Sequence, residues 1–218
     1  MINLVLLGAP GSGKGTQAAM IAKALKIPAI STGDALRKEV EAQSEIGKLA
    51  KSYMESGKLV PDQVVLDIVK GRVSQSDCQN GFILDGFPRN LAQAKMLDET
   101  LKPIQKQISL VLDFQVDDEI VIKRISGRFF CKKCGAIYNH HFKQTKKSGI
   151  CDDCGSSDFD SRSDDKEETV RNRLKVYHDS TLGLVEYYQR NNLIYSLDAV
   201  KNSALLFEEI LKVVENIN

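Results

Sequence analysis

A glycine-rich turn, Gly8-Ala9-Pro10-Gly11-Ser12-Gly13-Lys14-Gly15-Thr16, follows the apolar run Ile2 to Leu7 and leads into a stretch that favours helix, Gln17 to Leu25. Strand, turn and helix therefore occur in the order of a phosphate cradle. Glycines allow positive φ and bring backbone N–H groups against an anion, and the new helix aims its unsatisfied donors at the same spot. Gly8 and Gly13 flank four residues just before Lys14, the spacing at which the lysine supplies a mobile positive charge to terminal phosphates. Gly15 stands where the generic motif carries a hydroxyl, and the hydroxyl comes one residue later, at Thr16. This weakens the case for direct hydroxyl ligation of magnesium.

A chain of 218 residues can bury one substantial core and still carry inserts, so no second full domain is required. Thirty basic against twenty-nine acidic side chains leave a net charge of +1, which argues against a dominant nucleic-acid or membrane-surface role. The first apolar run stops after six residues at a glycine turn and has no basic leader. Neither a signal peptide nor a membrane span is expected from it, and a cytoplasmic location follows.

Further along, Pro28 to Thr32 reads as a second short strand, with Thr32 expected beside the glycine loop at the carboxyl edge of a parallel sheet. Asp34 to Gly57 is helical but charged, with breaks expected at Gly47 and Gly57. Pro61 suits a helix start, and Val64, Val65, Ile68, Val69 and Val73 repeat at helical spacing. Gly81 to Leu84 is a buried-strand run ending at Asp85, placed to hold a magnesium ion or its waters, while Arg89 can grip a phosphate with its planar fork. Helix from Asn90 to Leu101, strand from Ile108 to Phe114 and helix from Asp117 to Ser126 follow. Ser163 to Gln189 reads as helix with a break around Asp179 to Gly183. A last strand from Leu193 to Leu197 and an amphipathic helix from Ser203 to Val214 close the chain.

Between Arg128 and Arg162 the texture changes to glycine, lysine, aspartate and aromatics around two C-x-x-C pairs, Cys131 with Cys134 and Cys151 with Cys154. Sixteen residues separate the pairs, the spacing of a zinc ribbon whose four thiolates close a structural shell. Binding energies of about 10–16 kcal/mol for small zinc modules suffice to order a segment with so few core residues. The fifth cysteine, Cys78, reads as an inert thiol. The three histidines, His140, His141 and His178, stand in no recognisable motif with an acidic or nucleophilic partner.

Arginines recur at Arg37, Arg89, Arg124, Arg128, Arg162, Arg171 and Arg173. Phosphoryl transfer asks for alignment and charge neutralisation more than for covalent help, and a lysine, a magnesium site and several arginines answer that demand. Across these stretches, with Ile30 to Asp34, Leu36-Arg37, Asp85 to Arg89 with Gln93, Gly127-Arg128 and Arg162 to Asp165, the chain resembles adenylate kinases of the long type with a zinc-bearing lid. The resemblance covers nearly the full length. It implies an α/β P-loop nucleoside monophosphate kinase fold, a five-stranded parallel sheet with helices on both faces. Core would span 1–30, 61–127 and 163–218, with an AMP-binding flap at 31–60 and a lid at 128–162.

It further implies that Gly11, Ser12, Gly13, Lys14, Gly15 and Thr16 hold ATP phosphates and that Asp85 orders the waters of a catalytic Mg2+. Arg124 would lie over the ATP adenine, with Arg128, Ile137, Tyr138 and the backbone of Lys201 also contacting ATP. Thr32, Arg37, Lys58, Leu59, Val60, Gly86, Phe87, Pro88, Arg89 and Gln93 would bind AMP, and Arg162 and Arg173 would clamp the phosphoryl group in transit. Asp164 and Asp165 would form lid ion pairs or hinges. Zn2+ would be structural and the enzyme a monomer. Gly183 stands where the family often has proline, and Ala199 replaces a usual glycine. A kinase for UMP or CMP is the nearest alternative, disfavoured by Thr32 with Gln93. A zinc-ribbon nucleic-acid module is disfavoured by the charge balance and by Asp152, Asp153, Asp158 and Asp160 in the lid.

Overall fold

The computed structural model describes residues 1–217, without the side chain of Leu182; Asn218, the last residue of the expected core, lies outside the described residues. The glycine turn joins β1 (Ile2–Gly8) to α1 (Lys14–Leu25). β2 (Ala29–Ser31) runs into α2 (Thr32–Glu41) and α3 (Glu45–Glu55). The chain continues through α4 (Asp62–Val73), β3 (Gly81–Asp85), α5 (Leu91–Leu101), β4 (Leu110–Gln115) and α6 (Asp118–Ser126). β5 (Arg128–Cys131), β6 (Ile137–Asn139) and β7 (Phe159–Asp160) form a separate small sheet before α7 (Glu167–Arg190), β8 (Ile194–Asp198) and α8 (Ser203–Glu215).

The main sheet has the order β2-β3-β1-β4-β8, and every pairing in it is parallel. Its strands are apolar on both sides because both faces are covered. On one face Val5, Leu7, Phe82, Leu84 and Val111 pack against Val69, Val73, Leu97, Leu101, Leu184 and Tyr188 from α4, α5 and α7. On the other Leu4, Leu6, Ile83, Leu110 and Leu112 meet Ala18, Ile21, Leu206, Ile210 and Val214 from α1 and α8. The strand order reverses at β1, with β3 on one side and β4 on the other, which opens a crevice beyond the strands' carboxyl ends. Register sets its contents, since Leu6 pairs with Asp85, Ser31 with Asp85 and Gly8 with Phe114.

Two expected breaks lie elsewhere or are absent. Gly47 sits inside α3, and the chain turns at Gln43 (φ 52°), after which the Ser44 hydroxyl caps α3 by accepting from the Gly47 N–H at 2.9 Å. Glycine is needed at 47 because α3 crosses α2 so closely that a Cβ there would lie 2.0 Å from the Glu39 carbonyl oxygen. α7 is likewise continuous through Asp179 to Gly183. Val170, Leu174, Thr181, Leu184 and Tyr188 repeat as its buried stripe, and that packing overrides the weak propensity of the segment between them. Pro61 precedes the first helical residue of α4, Asp62, instead of being it.

The small sheet, ordered β6-β5-β7, is antiparallel and has its own core of Cys131, Tyr138 and Cys151 with Phe129, Ala136, Cys154 and Phe159 around them. No helix among the described residues is long and apolar enough to cross a membrane.

Candidate functional site

The glycine turn is built for close approach. Gly8 has φ 141°, and a Cβ there would lie 2.7 Å from the Phe114 carbonyl oxygen of the neighbouring strand. Gly13 has φ 101° and precedes α1, whose first N–H groups receive no side-chain cap from it. Those donors and the positive end of the helix face the crevice. Lys14 Nζ donates to the carbonyls of Gly8 and Ala9, both at 2.8 Å, and to Ser12 Oγ at 3.2 Å. Burial pushes its pKa down to about 8, with Arg89 and Arg173 adding to the effect against Asp85.

Around the turn lies one cleft of about 800 Å3, lined by Gly11 to Thr16, Asp85, Gly86, Pro88 and Arg89, and by Arg37, Arg124, Arg128, Arg162 and Arg173. Ile137, Tyr138, Ala199 and Lys201 complete it on the side of α8 and the small sheet. A smaller pocket adjoins it between α2, α3 and α5, lined by Thr32, Leu36, Met54, Lys58, Leu59, Val60 and Gln93. Arg37, Arg89 and Arg173 line both, so the two spaces share one wall of arginine.

That wall is charged at a cost in hydration. Arg89 reaches solvent through the cleft but sits between its walls, and desolvation followed by the nearby Arg173 lowers its pKa to about 10. Desolvation, then Arg128 and Arg37, lowers Arg162 to about 10 as well. Carboxylates hold the cluster in place. Asp34 of α2 accepts from Arg37 at 2.6 Å and from Arg162 at 3.3 Å, so one side chain ties α2 to the segment after β7. Burial pushes its carboxyl up, and the hydrogen bond and charge of Arg37 with the charge of Arg162 more than reverse this, leaving it below the usual range. Asp164 accepts from Arg173 at 2.9 Å and Asp165 from Arg128 Nε at 2.7 Å. Asp85 has its pKa raised by burial, which outweighs Lys14 and Arg89.

Away from the cleft floor, Cys131, Cys134, Cys151 and Cys154 bring their sulfurs within 4.8 Å of one another. The contacts of 3.6 Å between Cys131 and Cys154 and 3.5 Å between Cys134 and Cys151 approach the sulfur spacing of about 3.8 Å that four bonds of about 2.3 Å to one tetrahedral ion require. Both knuckles turn the same way: Gly135 N–H bonds the Cys131 carbonyl at 2.8 Å and Gly155 N–H bonds the Cys151 carbonyl at 2.9 Å. The four residues could hold one metal ion, and their donor set suits zinc.

A family model described as adenylate kinase matches residues 6–193. Proteins named adenylate kinase from Caldicellulosiruptor saccharolyticus, Archaeoglobus fulgidus and Methanosarcina barkeri are 49%, 48% and 48% identical to the chain. The alignments cover 97%, 99% and 98% of this chain and 98%, 99% and 99% of those proteins, respectively. The chain belongs to the adenylate kinase family.

For an adenylate kinase, most residues expected from sequence line the cleft or the adjoining pocket, but a few are arranged differently. Phe87 is fully buried in the core cluster and does not face the cleft. Thr32 turns from the glycine loop toward the smaller pocket, its hydroxyl donating to the Gly86 carbonyl at 2.9 Å, because it is the first residue of α2 and not the end of β2. The Tyr138 ring is buried in the small sheet, with its hydroxyl 3.4 Å from Cys151 Sγ. Lys201 spends its side chain on Glu209 at 2.9 Å. His178 does have an acidic partner, since its Nε2 lies 2.9 Å from Asp118 Oδ2 across α6 and α7.

Sequence reasoning missed Asp34, Phe142, Gln17 and Ser203 as members of this adenylate kinase cleft. Phe142 lies with its ring 6.0 Å from the Arg124 guanidinium, and Gln17 Nε2 donates to the Ser203 carbonyl at 2.9 Å. Gln17 follows the glycine motif directly and Asp34 ends the Ile30 to Asp34 stretch, which were the available signals; Phe142 and Ser203 meet the cleft only through tertiary contacts.

Proposed function

We propose that the chain transfers the terminal phosphoryl group of MgATP reversibly to AMP, giving two ADP, and so balances adenine nucleotides. The observation that carries this reading is the single cleft shared by Lys14 and Arg89, because an anion cradle and a second phosphate grip open onto one space. Gly11 to Thr16 hold the ATP phosphates, chiefly on the N–H groups at the start of α1, and Lys14 follows the terminal phosphate. Arg124 lies over the ATP base, held there by its bond to the Ala199 carbonyl at 3.1 Å, with Arg128, Ile137, Tyr138 and the backbone of Lys201 alongside. The smaller pocket takes AMP: Arg37 and Arg89 grip its phosphate, and Thr32, Lys58 to Val60, Gly86, Pro88 and Gln93 surround the rest. Arg162 and Arg173 clamp the group in transit.

Asp85 fits a role in ordering the waters of Mg2+, since Gly15 leaves its carboxylate open toward the loop and burial disfavours its charge unless a cation stands near. Bound with ATP, the ion supplies positive charge to the phosphate oxygens. Zn2+ on the four cysteines is structural, a closed shell of thiolates with no position for substrate. Residues 31–60 act as the AMP flap and 128–162 as the lid. Closing them excludes water, which would otherwise accept the phosphoryl group, and assembles the arginines only once both nucleotides are in place. The protein works as a monomer in the cytoplasm.

A coupled assay of ADP formation from ATP, with AMP, UMP, CMP and GMP offered in turn, tests the proposal. Strong preference for AMP is expected; preference for UMP or CMP would replace the reading with the pyrimidine alternative.

A further inference from the structure

Gln93 is 1% exposed, and both ends of its amide are already engaged. Its Oε1 accepts the backbone N–H of Arg89 at 2.7 Å, and its Nε2 donates to Asp62 Oδ1 at 2.7 Å. The Asp62 carboxylate is itself held by Asn90 Nδ2, at 3.1 Å to Oδ1 and 3.4 Å to Oδ2. These partners settle the amide's orientation by chemistry: a backbone N–H can only donate and a carboxylate can only accept. Each amide atom retains one further capacity, a lone pair on Oε1 and a proton on Nε2, and Gln93 lines the smaller pocket.

An adenine edge presents an amine donor beside a ring-nitrogen acceptor, so it matches an amide that offers an acceptor and a donor in this order. A 6-oxopurine presents an acceptor beside an N–H donor and needs the amide turned over. Free glutamine turns over at little cost, because its oxygen and nitrogen are nearly the same size. Here the turn would set Oε1 against the Asp62 carboxylate and the NH2 group against the Arg89 N–H, replacing two hydrogen bonds by two repulsions.

We infer that Asp62 is a specificity-determining positioning residue, which locks the Gln93 amide in the orientation that reads a 6-aminopurine and rejects a 6-oxopurine. The inference rests on the reading that Gln93 faces the base of AMP. Asp62 touches no substrate and acts only through Gln93.

The test compares kcat/KM for AMP with that for IMP, its 6-oxo counterpart, in the wild type, in Asp62→Asn and in Asp62→Ser. Either replacement can accept or donate, so it removes the repulsion at position 62 and leaves only the Arg89 N–H to oppose the turned amide. The preference for AMP over IMP should fall about tenfold or more in each variant, mainly through KM for the monophosphate, with KM for ATP held within about twofold. A wild type that discriminates and folded variants that discriminate equally well would overturn the lock. A wild type that treats AMP and IMP alike would instead remove Gln93 from the base pocket. Independently of any variant, the Gln93 side-chain amide of the wild type should show slow proton exchange by NMR, and free exchange there overturns the inference.

Discussion

The helical insert of α2 and α3 and the small antiparallel sheet of β5 to β7 stand on either side of one cleft and are held by different means. The helical insert shares the core of the body. Leu36 and Ala50 are buried in the same cluster as the sheet residues Val5 and Leu84, and Val40, Tyr53 and Met54 pack against it. Asn172 of α7 also reaches the Ser56 carbonyl. The small sheet instead owns a separate core of three buried residues, two of them cysteines. With so little apolar area to offset chain entropy, such a segment would be ordered by a metal on its four cysteines. One insert is an extension of the fold, and the other is a module that the chain carries.

The largest effect expected concerns the arginine charge gathered in the shared cleft. Arg162→Ala and Arg89→Ala should each cut kcat by about 10^2–10^3-fold while melting stays unchanged, the loss typical of one preorganised charge stabiliser. Normal turnover in purified Arg162→Ala would leave the lid without a chemical role. Next, removing metal with a chelator, or changing Cys151 to Ser, should release amide-exchange protection in residues 128–160 and spare α2 and α3. Equal loss in both inserts would break the contrast, and an unchanged profile would mean that the thiols hold no metal.

Gly47→Ala probes the other side, since its new Cβ must push the Glu39 carbonyl away. A cost of about 3 kcal/mol is expected, seen as a lower melting temperature of the whole chain because this insert belongs to the main core. A smaller change follows from Lys14. With its pKa near 8 in the free enzyme, raising the pH through that value removes its proton and its attraction for phosphate, so kcat/KM for ATP should fall on the alkaline side. A flat profile from pH 7 to 9.5 would count against the burial of Lys14. Least in size, Gly183→Ala should stabilise by about 1 kcal/mol and raise Tm by about 2–4 °C. The glycine lies inside continuous α7, with nothing within 4 Å of the added Cβ, and a lower Tm would restore the break expected from sequence.

What could be read in advance was local. The apolar strands, the glycine turn and the cysteine spacing each state their geometry within a few residues, and a parallel sheet followed from alternating strand and helix patterns, while its five strands came from the family resemblance. Gly47 and Gly183 misled for one reason: a glycine in a helical pattern signals a break only if nothing else claims it. At 47 a close helix crossing claims it, and at 183 a buried stripe of Val170, Leu174, Leu184 and Tyr188 carries the helix past it. Thr32 lies away from the glycine loop and Phe87 away from the cleft because a change of one residue in where β2 ends, or of one side chain's direction at a turn, moves a group out of one space into another.

The sequence by itself determined the elements, the anion cradle and the four-thiol knuckles, because each depends on backbone freedom or ligand type at short spacing. Only the tertiary structure decided how the charges are managed: Asp34 gathers arginines from two inserts, and Asp62 holds Gln93 from a different helix. Such pairs lie 128 and 31 residues apart in the chain, and no local propensity encodes which carboxylate will meet which donor once the sheet has set its register.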